Sequence, residues 1–471
     1  MRVHLMQLAQ IVVLLAASSM ALAIQPEFRP AVNYRTDSNP VAVAVADFNR
    51  DGLPDLAVLD QDFSDVSVLL GTGNGIFAKA VNYPINHSGG ISILTGDLNG
   101  DGVPDVLVTC DDGTLVTLLG NANGTLQSPL DTLLSSPVVA VTVADFNRDG
   151  KLDVALTVGN TGFAGNVAIV FGNGDGTFQS PQLYPAGVSV NYIATGDLNG
   201  DGAPDLVIDN ASSKSIGVLL NDGDGTFQAV KHYPLSAQPL TFVLGDVNND
   251  GKLDLAVNIF GGILLALGKG DGTFQSPSMV LSGTFIGVSA IADFNKDGFP
   301  DFTGAGAVNI VSVTQGNGDG TFVGPADYAV GSSPRGFAVA DLDDDGYLDI
   351  AAADNQKGGA VSILLNAGAS LPVTLSPTAL TFAAQSVGTT SPPQAVKLTN
   401  TSASDLAISS VTVSGDFLVK NKCASTVAPN GSCNLSVQFR PRATGTRMGV
   451  ITITDSATSS PQKIQLTGTG Q

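Results

Sequence analysis

Apolar and polar positions alternate along most of this chain, and the alternation comes in short runs. In "VAVAVAD" (41–47) and "VVAVTVAD" (138–145) every second residue is apolar, as a half-buried strand requires. A second kind of run is short and mostly apolar: "LAVL" (56–59), "VLVT" (106–109), "LVID" (206–209). A third follows, "VSVLLG" (66–71) or "IGVLLN" (216–221), and then a glycine turn, "GNGDGTF" (172–178 and 316–322). An extended piece such as "FQSPQLYP" (178–185) leads back to the start. Each cycle predicts four strands joined by turn-rich connectors. No helical period persists after residue 23.

Between the first and second strands lies a motif that recurs: "DFNRDGLPD" (47–55), "DLNGDGVPD" (97–105), "DFNRDGKLD" (145–153), "DLNGDGAPD" (197–205), "DVNNDGKLD" (246–254), "DFNKDGFPD" (293–301) and "DLDDDGYLD" (341–349). Successive starts lie 47 to 52 residues apart. A four-stranded unit of this length, repeated radially, is a β-propeller blade. The last copy runs "DIAAADNQKGGAVSILLNAG" (349–368) and stops before its fourth strand. The missing strand is expected at the other end of the chain, where "EFRPAVNY" (27–34) parallels "TFVGPADY" (321–328). The prediction is an all-β chain with a seven-bladed β-propeller over residues 24–367, blade 7 being closed by residues 27–34.

After a short linker (368–372, within "NAGASLPVTLSP", 366–377) the pattern changes. Alternating runs at "QAVKLTN" (394–400), "LAISSVTV" (406–413), "CNLSVQFRP" (433–441), "MGVITITD" (448–455) and "KIQLTGTG" (463–470) suggest seven or eight strands. That density predicts an immunoglobulin-like β-sandwich over 373–471. Charge marks the same boundary. Residues 24–370 carry 39 acidic and 13 basic side chains, whereas 371–471 carry 3 and 7. So acidic a first domain repels nucleic acid and anionic membranes, and neither is an expected partner.

The first 23 residues read as an export signal: Arg2, a short apolar run "IVVLLAASSMALA" (11–23), and Ala21-Leu22-Ala23 before a mature start near Ile24. The run is too short to span a bilayer comfortably, and no second such segment follows, so membrane insertion is not expected. No cysteine sits at the cleavage site to take a lipid. The expected location is outside the cytoplasm: secreted, at the cell surface, or periplasmic. An oxidising compartment makes a disulfide between Cys423 and Cys433 plausible, with two free thiols as the alternative. Cys110 reads as a lone buried thiol.

The recurrent nonapeptide has the chemistry of a Ca²⁺ loop, since this ion takes six to eight oxygens in a flexible shell. Position 1 supplies Asp47, Asp97, Asp145, Asp197, Asp246, Asp293 and Asp341. Position 3 supplies Asn49, Asn99, Asn147, Asn199, Asn248, Asn295 and, in the last copy, Asp343. Position 5 supplies Asp51, Asp101, Asp149, Asp201, Asp250, Asp297 and Asp345. Backbone carbonyls at position 7 belong to Leu53, Val103, Lys151, Ala203, Lys252, Phe299 and Tyr347. Position 9 closes the shell with Asp55, Asp105, Asp153, Asp205, Asp254, Asp301 and Asp349. Glycine at position 6 permits the tight turn. These positions hold 22 of the chain's 42 acids, and carboxylates this close repel unless a cation sits among them. The competing reading is a set of metal-free turns capped by Asn and Asp side chains. An EF-hand would end with Glu at position 12 between helices; here strands follow position 9 at once. Mg²⁺ fits less well, because it holds its water and a tighter octahedron.

Repeats of the form DxNxDGxxD followed by FGNGDGTF resemble the FG-GAP/VCBS repeats of integrin-α-type seven-bladed propellers, and the resemblance covers residues 28–367. In that family such loops bind Ca²⁺ at one face of the disc, and partners generally use loops elsewhere. The resemblance implies up to seven structural Ca²⁺ ions, with Asp343 adding charge to the last site. The C-terminal piece resembles ASPM-SPD-2-Hydin and choice-of-anchor-D type modules, found at the ends of bacterial surface proteins.

Signs of catalysis are few. His87 and His232 follow the export segment, and neither lies in a recurrent motif or beside a nucleophile. There is no G-x-S-x-G elbow, HExxH helix or phosphate loop. Trp is absent, which weakens a sugar-stacking lectin, and Tyr34, Tyr83, Tyr184, Tyr233 and Tyr328 share one repeat position that suits packing. The "GDGTF" aspartates stand alone and read as turn residues. The expected function is non-enzymatic: a monomeric, exported, calcium-binding propeller that binds or adheres to a protein or glycan. The alternatives are an extracellular hydrolase or lyase acting on polysaccharide, or a structural surface spacer. The repeat breaks at "NHSGG" (86–90) and "GNTGFAGN" (159–166) mark where a specific site would lie.

Overall fold

The computed structural model describes residues 26–471 except 63, 135, 160–163, 283–286, 306–308, 357, 369–372, 402–404 and 457–460. The expected export segment (1–23), most of the expected linker and part of the 159–166 insertion lie outside the described residues. The chain divides into two compact units, one spanning residues 25–370 and one containing 371–471.

The first unit begins with strand β1 (Val32–Arg35) and then repeats one hairpin scheme. In its first turn, β2 (Pro40–Ala46), β3 (Asp55–Asp60), β4 (Asp65–Leu69) and β5 (Val81–Pro84) form an antiparallel sheet in chain order. Sheets 2 to 6 repeat this order, each with four strands. Sheet 7 takes its first three strands from Pro334–Ala340, Asp349–Asp354 and Ala360–Leu364, and its fourth is β1. Val32 pairs with Ile363 and Arg35 with Ala360. The two ends of the unit thus share one sheet.

The run types follow from position within a sheet. β3 and β4 are buried at every residue, because neighbouring sheets cover both of their faces. Their alternate side chains enter different cores: Ala57 and Leu59 join residues of sheet 2, whereas Leu56 and Val58 join residues of sheet 7. Each adjacent pair of sheets shares such a core, sheet 7 with sheet 1 included, so the series closes on itself as a propeller does. β5 and its counterparts lie at the outer edge, short and largely exposed. The recurrent tyrosines pack there as expected, Tyr34 edge-on to Phe77 and Tyr233 to Phe274.

The second unit is a sandwich. One sheet orders Val373–Ser376, Gln394–Asn400, Ser432–Phe439 and Phe417–Asn421; the other contains Ala379–Gln385, Gln462–Gly470, Gly445–Asp455, Leu406–Val413 and Thr426–Val427. Val396, Leu398, Leu435, Phe439, Ile451 and Ile464 fill the space between them. Cys423 and Cys433 are joined in a disulfide, and Cys110 is a buried free thiol.

Ring closure includes an aromatic anchor. Phe28 bridges Asn366 as Phe77 bridges Gly71 and Phe322 bridges Gly316 in their sheets. Its ring is buried against Phe294 and Tyr328. Phe28→Ala is expected to lower stability by about 3 kcal/mol or more, the usual cost of emptying a buried phenylalanine site. Urea unfolding followed by far-UV circular dichroism measures it.

Candidate functional site

The nonapeptides form the turns between first and second strands, as the sequence predicted, and each turn is closed by its own side chains. In all seven, the position-1 carboxylate accepts from the position-6 glycine amide at 2.7–2.9 Å. In all seven, the position-5 carboxylate accepts from the position-7 amide at 2.7–3.0 Å. Where position 3 is Asn, its Oδ1 accepts from the position-5 amide, as Asn49 does from Asp51 N at 2.9 Å. Its Nδ2 donates to the position-5 carboxylate in loops 1 to 4 and 6. Positions 1, 3 and 5 are thereby gathered at the exposed turn.

Position 9 is placed differently. Asp55 is fully buried at the start of β3; its Oδ2 accepts from Phe48 N at 2.9 Å and its Oδ1 from Gly71 N at 2.6 Å. The six counterparts repeat the pair of bonds, with loop position 2 as one donor and the second residue beyond the third strand as the other. Burial raises these carboxyls above their ordinary value, against the lowering effect of both amides: Asp55 and Asp205 to about 6, Asp301 and Asp349 to about 7. Nearby position-1 and position-5 acids add to the rise in Asp55, Asp205 and Asp301.

Loop 7 stands apart. With Asp343 in place of the amide, ligand oxygens of Asp341, Asp343 and Asp345 lie within 4.8 Å of one another. The Asp343 side chain is 7% exposed, and its Oδ1 is buried with no hydrogen-bond partner. Arg29, in the segment before β1, stands 3.7 Å away. A buried carboxyl oxygen without a hydrogen-bond partner in a group of three carboxyls fits a cation, so the donor set suits the Ca²⁺ that the motif implies.

The second glycine motif is a turn: Asp175 Oδ1 accepts from Thr177 N and Oγ1, and Asp224 from Thr226 in the same way. Two groupings escaped sequence reasoning. At the opposite end of the sheets, His87 Nδ1 lies 3.0 Å from Asp112 Oδ2 and Nε2 3.3 Å from Asp131 Oδ2. The bond to Asp112 raises the imidazole pKa. Asp60, at the far end of β3 from Asp55, is fully buried and accepts from Thr36 and Ser67 hydroxyls at 3.0 and 2.6 Å. His232 is exposed, near Asn210.

Sheets of this kind closing on themselves define a β-propeller. The FG-GAP-like repeat model matches residues 47–108, 97–156, 155–208, 210–257, 246–303 and 293–352. The chain belongs to this family. Residues 372–469 match the HYDIN/CFA65/VesB-like, Ig-like domain. No curated protein matches the chain. Among solved structures, BBS1N in complex with ARL6DN is 14% identical, with 74% of this chain and 100% of that chain covered and a TM-score of 0.51. An Agrocybe aegerita lectin that recognises non-reducing terminal N-acetylglucosamine is 18% identical, with coverages of 72% and 96% and a TM-score of 0.48. PapD-like domain 7 of human CEP192 is 18% identical over 22% of this chain and 87% of its own, with a TM-score of 0.18. Among the described residues no helix is long and apolar enough to cross a membrane.

Asp60 yields a pH prediction. Burial raises its pKa to about 7, against the hydroxyl bonds. Between about pH 4 and pH 7 the folded chain therefore holds a proton that the unfolded chain releases, so this group's contribution falls as pH rises across that window and is flat above it. Asp60→Asn removes the titration. Melting temperatures at pH 5 and pH 7.5 are expected to differ less in the variant than in the parent.

Proposed function

We propose that this chain is an exported, calcium-binding β-propeller that acts as a binding or adhesion module for a protein or glycan partner. In this reading Ca²⁺ is architectural, held by positions 1, 3, 5, 7 and 9 of the repeated loops. The observation that carries it is the repetition of one acidic turn in every sheet, sharpened in loop 7 by the unpartnered, buried Asp343 Oδ1. A bound divalent ion supplies positive charge that offsets repulsion among the loop carboxylates. The chain's own residues gather those carboxylates: glycine amides hold position 1, and position-7 amides hold position 5.

Selective binding needs groups that differ from blade to blade. The acidic turns repeat, whereas the opposite ends of the sheets do not. There His87 bridges Asp112 and Asp131 beside the "NHSGG" break, and Tyr192, Leu240 and Phe260 are exposed. This end is the reading's partner face. The same unlike residues favour a binder over an inert spacer. The export signal expected over residues 1–23 and the Ig-like module suit display outside the cytoplasm.

Chelation with EDTA is expected to lower the melting temperature and added Ca²⁺ to restore it. Ca²⁺ at a hundredfold over its dissociation constant stabilises by about 2.7 kcal/mol per site. A melting curve indifferent to both would sink the metal assignment. Asp51→Ala is expected to reduce this Ca²⁺-dependent gain while leaving the ligand profile on a glycan array or in a pull-down unchanged. Hydrolysis or β-elimination of a polysaccharide by the purified chain would replace the binding reading with the enzymatic one.

A further inference from the structure

The fourth residue of every acidic loop has a positive φ: 59° at Arg50 and Arg148, 76° at Gly100 and Gly200, 57° at Asn249 and Lys296, and 60° at Asp344. Glycine takes this conformation freely, but other residues are disfavoured there. Where the residue has a donor, its side chain reaches the next loop in the ring. Arg50 Nε donates to Gly102 O at 3.1 Å and Nη2 to Asp101 O at 3.2 Å. Arg148 Nη2 donates to Asp201 O at 3.0 Å and lies 3.7 Å from Asp201 Oδ1. Asn249 Nδ2 donates to Gly298 O at 2.6 Å. Lys296 Nζ stands 3.9 Å from the centre of the Tyr347 ring. Every recipient is position 5, 6 or 7 of the following loop, the segment that carries the fifth carboxylate and the seventh carbonyl.

The series has gaps. Gly100 and Gly200 have no side chain to reach loops 3 and 5. Asp344 is an anion with nothing to donate to the carbonyls of loop 1. We infer that the fourth-position side chains are positioning residues that latch each loop to the next in one direction and divide the ring of loops into three arcs: loops 1–2, 3–4 and 5–6–7. Order in a downstream loop then depends on the upstream residue within an arc, and the dependence stops at each gap. The latches stand without an ion. Their effect on ion binding rests on the calcium reading: by fixing the backbone of positions 5 to 7, each latch pre-forms part of the next loop's ligand set.

Arg50→Gly is the cleanest probe, because glycine already occupies this position at Gly100 and Gly200 and keeps the φ without strain. Amide hydrogen exchange by mass spectrometry, in EDTA, is expected to speed up roughly two- to tenfold over residues 97–105, the loss of one or two exposed hydrogen bonds. Residues 145–153, across the gap at Gly100, are expected to be unchanged. The converse variant, Gly100→Arg, has open space at the added carbon, with no atom within 4 Å. It is expected to slow exchange over residues 145–153. Unchanged exchange over 97–105 in Arg50→Gly, or an equal rise in both loops, would overturn the latch. Repeating the measurement with Ca²⁺ separates the two claims: exchange indifferent to Ca²⁺ in the parent chain counts against the metal reading alone.

Discussion

The buried carboxylate at position 9 is the constraint on which the propeller unit depends. It ties the acidic turn to the interior of its sheet, one oxygen taking an amide from the turn and the other an amide beyond the third strand. An anion buried with a single donor is expensive, and the second amide makes the position tolerable. The same bond pair fixes where the turn ends and where the glycine motif begins. Asn366 and Asn221 extend the scheme: each Nδ2 donates to a carbonyl in the preceding sheet's loop, Phe294 O and Phe146 O. The chain thereby fastens turns, strands and neighbouring sheets through backbone groups, which explains why motif and spacing recur while the apolar residues between them vary.

Closure follows from the same economy of repetition. A stack of like sheets leaves two uncovered faces at its ends, and each would expose a core like those between sheets 1 and 2. Bringing sheet 7 against sheet 1 covers both faces. Supplying β1 from the start of the unit makes that arrangement hard to open, since opening it separates Val32–Arg35 from Ala360–Leu364 as well as the two packed faces. Phe28 then stands where the "GTF" phenylalanine stands elsewhere, although about 340 residues separate it from its bridge partner.

Much of this was legible in the sequence, for physical reasons. Strands buried on both faces read as unbroken apolar runs, and half-buried ones alternate, so the order of strands within each sheet could be read directly. The motif betrayed the turns because tight turns need glycine and Asx side chains at fixed offsets. What escaped reading depends on contacts between repeats. Position 4 has no common chemistry, being Arg, Gly, Arg, Gly, Asn, Lys and Asp in turn, and the partner of its arginines lies about fifty residues downstream. Asp60 follows an apolar run, and only the fold brings Thr36 to it from the strand connector before β2. His87 showed no neighbour in sequence, because Asp112 comes from a hairpin and Asp131 from an edge strand of the same sheet.

The two ends of the sheets are under opposite demands. At the acidic end the residues at positions 1, 5, 6 and 9 serve their own turn, so a change there strains the turn or frees a buried charge, and these positions stay alike in the seven copies. At the other end the second strand finishes in Asp60, Cys110, Val158, Asn210, Ile259, Ala305 and Asp354, a set with no common chemistry. The hairpins beyond them differ in length and composition as well. Turns that share the same residues at positions 1, 5, 6 and 9 give a partner little reason to choose a register on the ring. Unlike residues around the other rim supply that reason, since only one rotation then brings a given group opposite its complement. On the proposed reading, stability and selectivity are separated by the length of one six-residue strand, with Asp55 at one end and Asp60 at the other.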